Sequence, residues 1–183
     1  MLPMAEILPF RGILYNPDRV SGDDVIAPPY DVITPEMRKA LYEKSPYNAV
    51  RIDFGMELDG DGDKENKYLR ASRFLEEWQK EGVLKRAEKP AIYAYRMDYE
   101  IRGLKKSLTG FFALVKLVEP GMGVYPHEAT YSKPKLDRLT LLQVTGANTS
   151  PIFSLYNSPH GAAASILAEA EKSPPLIKAG DHD

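Results

Sequence analysis

Residues 91–101, AIYAYRMDYEI, constrain the fold more than any other stretch, because apolar and polar side chains alternate there without a break. Tyr93, Tyr95, Met97, Tyr99 and Ile101 fall on one side, and Arg96, Asp98 and Glu100 on the other. That period of two is a half-buried strand. RGLKK follows, then SLTGFFALVKLV, which is apolar on both faces. The pair reads as a β-hairpin whose second strand lies deeper in a sheet.

Helix signals surround this hairpin. In TPEMRKALYEK, Thr34 is placed as an N-cap, Pro35 suits the first helical position, and Pro46 ends the run near Ser45. From Asn66 to about Glu81, Tyr68, Ala71, Leu75 and Trp78 form one apolar stripe, and Gly82 supplies a stop. KLDRLTLLQVTG predicts a helix with Leu136, Leu139 and Val144 inward, closed by Gly146. SPHGAAASILAEAEK predicts another, opened by Ser158 and Pro159. AVRIDF (49–54) and SPIFSLY (150–156) read as strands, the second one buried, and VIAPPYDVI as a rigid extended loop. Asp59, Asp61 and Asp63 alternate as in a calcium loop, but Lys64 and Arg70 occupy positions that need Gly and Glu, so the loop reads as solvated. The expected class is α/β or α+β, a mixed sheet with an antiparallel hairpin flanked by about four helices. Without a repeat or long linker, residues 1–183 are expected to form one domain, with 173–183 a frayed or truncated tail.

Composition narrows the function classes. A formal net charge of −2 gives no basic field for DNA or RNA. Cysteine is absent, which removes thiolate catalysis, cysteine metal sites and disulfides, and fits a cytoplasmic protein. No secretory leader pattern or membrane-length apolar run is visible, so no membrane partner is expected.

Chemistry concentrates in HEATYSKPKLDR, residues 127–138. Pro126 and Pro134 stiffen its ends. Lys133, Lys135 and Arg138 offer donors suited to phosphate or carboxylate, and Lys135 and Asp137 lie near a helix start whose N–H groups favour an anion. His127 and Glu128 are an acid/base pair in waiting. The alternative is a solvated loop leading into a charged helix. Two further segments could join it. Tyr30 and Asp31 sit on the APPYDVI loop, where Asp31 suits a metal, a substrate hydroxyl or a turn. Asn148 and Ser150 stand in GANTSP, where a left-handed turn is the plain alternative. Phosphate-loop, dinucleotide, GxSxG and HExxH patterns are missing, and His127, His160 and His182 are too scattered for zinc, so no metal site is assigned.

Five segments, VIAPPYDVITPE, SPYNAVRIDF, FLEEWQKEGVL, HEATYSKPKLDRL and GANTSPIFSLY, occur in an order and spacing that resembles the N-terminal half of a prokaryotic family catalogued as domain of unknown function 1015. The resemblance implies a ParB-like label and a longer protein. The family's second half carries a DGHHRY-type box similar to the nucleotide-binding element of the ParB and sulfiredoxin superfamily, which includes free-serine kinases. The chain stops before such a box, since Asp181-His182-Asp183 does not match it. The family pattern maps onto Pro28, Pro29, Tyr30, Asp31, His127, Glu128, Thr130, Lys133, Lys135, Asp137, Arg138, Asn148 and Ser150. Residues and resemblance together predict a nucleotide- or phosphate-binding part of an enzyme. It would act on a small phosphorylated metabolite, with ATP or another nucleotide and a divalent cation as the implied cofactors. The rivals are a ParB-like regulatory or nucleic-acid-binding protein and a non-catalytic structural or oligomerisation domain.

Overall fold

A computed structural model describes residues 5–127, 131–158 and 161–180. In chain order its elements are β1 (Ile7–Leu8), β2 (Ile13–Tyr15), α1 (Gly22–Val25), α2 (Pro35–Lys44), α3 (Val50–Asp53), α4 (Lys67–Lys80), β3 (Leu84–Arg86), β4 (Tyr93–Ile101), β5 (Leu104–Phe112), β6 (Leu114–Val115), α5 (Ser132–Thr145) and α6 (Ala162–Ala170), with a 3₁₀ turn at Tyr30–Val32. The mixture of helices and strands is the expected one. The strands form antiparallel pairs, β1 with β6, β2 with β3 and β4 with β5. The chain divides into two compact units. One comprises Met1–Gly12, Ala87–Ala129 and Ile152–Pro175, the other Ile13–Arg86, Thr130–Pro151 and Leu176–Asp183.

The first unit is built on the expected hairpin. Its register runs from Tyr93 opposite Phe112 to Ile101 opposite Leu104. Arg102 and Gly103 both have positive φ, 53° and 74°, which is the two-residue turn that matches strand twist. Tyr93 closes its base, accepting from the Gly12 N–H at 2.8 Å and donating to the Phe10 carbonyl at 3.3 Å. Both hairpin strands are largely exposed; β5 is the more covered of the two, but among the described residues the pair stands alone and gives it no deeper place in a wider sheet. Residues 150–156 form no strand, and Ile152 and Leu155 are each 87% exposed. An apolar run becomes a strand only beside a free edge, and Pro151 withholds one donor from any such edge. The last helix runs from Ala162, after Gly161 in a left-handed conformation; Pro159, expected to open it, lies outside the described residues.

The second unit holds the main core: Ile52, Ala71, Trp78, Val83, Leu84 and Leu141. Asn66 starts α4 by accepting from the N–H groups of Tyr68 and Leu69, and the stripe read from the sequence faces inward. Trp78 is 3% exposed and packs against Phe74, Tyr47 and Tyr15 at ring distances of 5.7, 5.7 and 6.3 Å. Gly82 ends the run with φ 73°. Thr34 caps α2 as expected, its hydroxyl accepting from the Met37 N–H at 3.2 Å.

Two expectations fail here. Residues 50–53 are a helical turn and not a strand: the Asn48 side-chain oxygen accepts from the Val50 N–H at 3.0 Å and sets the turn against β propensity. Val50 and Ile52 are both buried, which imitates a strand pattern, but only Ile52 joins the Trp78 cluster. On α5, Leu141 is the buried residue, and Leu136 and Leu139 are 65% and 48% exposed. The inward face is fixed by Asp137, Arg138 and Leu141, and the 136–139–142 row runs along the other side.

The acidic loop before α4 is not simply solvated. Asp61 takes both terminal nitrogens of Arg70, at 2.6 and 2.8 Å, and Arg70 also donates to the Met56 carbonyl at 2.7 Å. The hydrogen bonds from Arg70 hold the Asp61 carboxyl at about 2, below its ordinary 3.8. A depressed folded-state pKa stabilises above the unfolded value and loses that contribution as pH falls through the folded one. The contribution is therefore expected to vanish between about pH 4 and about pH 2. Thermal melts across that window should fall more steeply for the parent protein than for Arg70→Ala, and parallel curves would refute the linkage.

Candidate functional site

Arg138 lies in the second turn of α5, and three other segments of the second unit, at Tyr30, Asp53 and Ser150, meet on it. Its Nε and Nη2 donate to Asp137 Oδ2 at 3.0 and 2.6 Å, and Nη2 also donates to the Asp53 carbonyl at 2.8 Å. Its Nη1 donates to Asp53 Oδ1 at 3.0 Å and, more distantly, to Ser150 Oγ at 3.5 Å. The guanidinium rests on the Tyr30 ring, 4.2 Å from its centroid. All five N–H donors are thereby spoken for.

The two carboxylates differ. Asp137 Oδ1 accepts from the Tyr68 hydroxyl at 2.8 Å and faces Lys67 Nζ at 3.0 Å. Burial opposes its charge, but hydrogen bonds from Arg138, Tyr68 and Lys67 outweigh burial, and its pKa lies below the ordinary carboxylate value. It is an ionised acceptor at neutral pH. Burial and the Asp137 hydrogen bond push the Tyr68 hydroxyl the other way, so it stays protonated. Lys67 also loses from burial, yet its contacts with Glu57 and Asp137 keep its pKa raised. Asp53 Oδ1 collects the hydroxyls of Thr149 and Ser150 at 2.7 and 2.5 Å, which pins the loop after α5 to α3. Side chains of Lys67, Asp53, Asp137 and Arg138 are 17–22% exposed, so the cluster is partly desolvated but reachable. Asp53, Phe54, Lys67, Tyr68 and Arg138 border a small recess floored by Ile52 and Leu141.

Of the residues read from the sequence, the structure gathers Tyr30, Asp137, Arg138 and Ser150. Asp31 is exposed in the 3₁₀ turn, and Asn148 is exposed in its loop. Lys133 and Lys135 are exposed at the start of α5 and make no side-chain hydrogen bond or ion pair among the described residues. At 100° per residue, Lys135 stands within about 60° of Arg138, and Lys133 lies on roughly the opposite side of the helix from Lys135. Pro134 also removes one of the N–H groups that the helix start would otherwise present. His127 is exposed and belongs to the other unit; Glu128 and Thr130 lie outside the described residues.

Asp53, Lys67, Tyr68 and Thr149 had not been singled out. Asp53 was hidden by the strand reading of AVRIDF, and Tyr68 by its place in an apolar stripe. The usable signal was the aspartate at the end of VRID, which a helical reading would have turned toward α5. Among the described residues no group of three or more His, Asp or Glu is placed to hold a metal ion, and no helix is long and apolar enough to cross a membrane.

A family model described as a protein of unknown function, DUF1015, matches residues 7–183. No curated protein and no solved structure matches the chain.

Proposed function

The chain belongs to the DUF1015 family of proteins of unknown function, and from that footing we propose that the Arg138 centre is a binding site for a small anionic metabolite, of the phosphate-ester or nucleotide class, in an enzyme that acts on it. The convergence of α3, the start of α4 and α5 on one partly exposed recess, with Tyr30 stacked on Arg138 and the hydroxyls of Thr149 and Ser150 bound to Asp53, carries this reading. Within it Arg138 is the scaffold and not the hand, because its donors are already engaged. Lys67 is the hand: its ammonium, held by the carboxylates of Glu57 and Asp137 and beside the Tyr68 ring, borders the recess and offers its charge to a ligand oxygen. Lys135, one turn before Arg138, adds an outer cation. Asp137 orients these groups and does not serve as a general acid, since its carboxyl stays ionised.

Thermal-shift titration of the whole chain with inorganic phosphate, a sugar phosphate and ATP, each with and without Mg²⁺, tests this. At least one should raise the melting temperature by mass action. Lys67→Met combined with Lys135→Ala should weaken that ligand by about tenfold or more, the scale of one lost charged hydrogen bond. A wild-type chain indifferent to all three anions would reject the site. It would favour the second reading that Arg138's saturation supports, a cluster that only ties helices together in a non-catalytic domain.

A further inference from the structure

Residues 176–180 lie against α1 in a way that depends on a glycine. A Cβ on Gly22 would run into the backbone carbonyl oxygen of Lys178 and meet the Ala179 Cβ at 3.0 Å. The demand is for space rather than for an unusual backbone angle. The next residue completes the hold: Asp23 Oδ1 accepts from the Gly180 N–H at 2.7 Å. Gly22 is buried beneath this segment, and Ile177 is partly covered.

The seat is also wired to α3. Asn48, fully buried, donates from Nδ2 to the carbonyls of Asp24 and Ile26 at 2.9 and 2.8 Å while its oxygen holds the Val50 N–H. The Ala49 N–H donates to the Val25 carbonyl at 2.8 Å. Three hydrogen bonds thus join the α1 corner to the segment that opens the helix ending in Asp53, and the Asn48–Val50 bond sets the first turn of that helix.

The geometry points to residues 176–180 as a strap, clasped by Gly22 and Asp23, that holds the α1–α3 corner and with it the position of Asp53. The strap rests on the close approach to Gly22 and on the Asp23 side chain, and it is independent of what the Arg138 centre binds. Its release is a local opening that leaves the Trp78 core folded.

Hydrogen exchange by mass spectrometry on the whole chain tests it, with Trp78 emission as the readout of an intact core. In the parent protein, peptides covering 176–180 are protected. In Gly22→Ala and Asp23→Ala, those peptides and the ones covering 49–54 should exchange about ten times faster, the size of a lost close contact or hydrogen bond. Asp23→Asn keeps an acceptor oxygen and should stay close to the parent. If Gly22→Ala loses the folded emission, the Asp23 pair decides alone. An unprotected strap in the parent protein, or a strap that loosens while 49–54 stays unchanged, would overturn the proposal.

Discussion

Arg138→Ala is expected to destabilise the second unit by roughly 3–5 kcal/mol, the usual cost of removing one partner from a desolvated ion cluster. The loss exceeds that of a surface ion pair because both carboxylates it serves are about four-fifths covered. Asp137 keeps Lys67 and Tyr68, but Asp53 is left with two hydroxyls and no cation. For a chain of this size the melting temperature should fall by about 10 °C. Lysine should not restore it, since an ammonium cannot make the parallel contacts to Asp137 and the Asp53 carbonyl together or lie flat on Tyr30. A double-mutant cycle with Asp53→Ala should return a coupling well above 1 kcal/mol. A single substitution costing less than about 1 kcal/mol would show that Arg138 is a surface residue in all but position.

How much of this was legible depends on what each element answers to. The β4–β5 hairpin, the Thr34 cap and the α4 stripe obey rules local in sequence: a period, a cap and a stop. They stand in the structure as read. The α3 turn was misread because two buried β-branched residues two apart look like a strand, and what overrides that propensity is Asn48 and its partners from the α1 corner. Burial of the run at 150–156 was inferred from composition, yet burial needs a neighbour, and none of the described strands takes that role.

The candidate site shows the same division. Asp137 and Arg138 stood out by local charge density, but their roles did not, because a sequence cannot show that Arg138's donors are consumed by Asp53 and Asp137. Lys133 and Lys135 looked equivalent to Arg138 on the page, and the helix turns one of them away. Asp53 and Lys67 entered only through contacts that span 85 and 70 residues of chain to Arg138 and Asp137.

Asn48→Ala carries the second large effect, and it arises from a residue with no charge. Its side chain has 0% exposure and makes three hydrogen bonds to backbone groups of α1, the residue after it, and α3. Truncation leaves two partly buried carbonyls and one buried N–H without their partner. At about 1–3 kcal/mol for each orphaned group, partly relieved by relaxation, the total is roughly 3–5 kcal/mol. Asn48→Asp separates this account from a simple cavity, because it preserves shape. The carboxylate still accepts from Val50 but turns an oxygen toward the carbonyls of Asp24 and Ile26. Burial and that repulsion raise its folded-state pKa above the unfolded value. The folded protein then binds the extra proton more tightly, so stability of the variant should rise as pH falls toward the unfolded carboxylate value and drop as pH increases. Urea unfolding of Asn48→Asp at pH 5 and pH 8, set against Asn48→Ala as the flat control, would read this directly; equal stability at both would mean that the side chain reaches water and that the α1–α3 corner is held by something else.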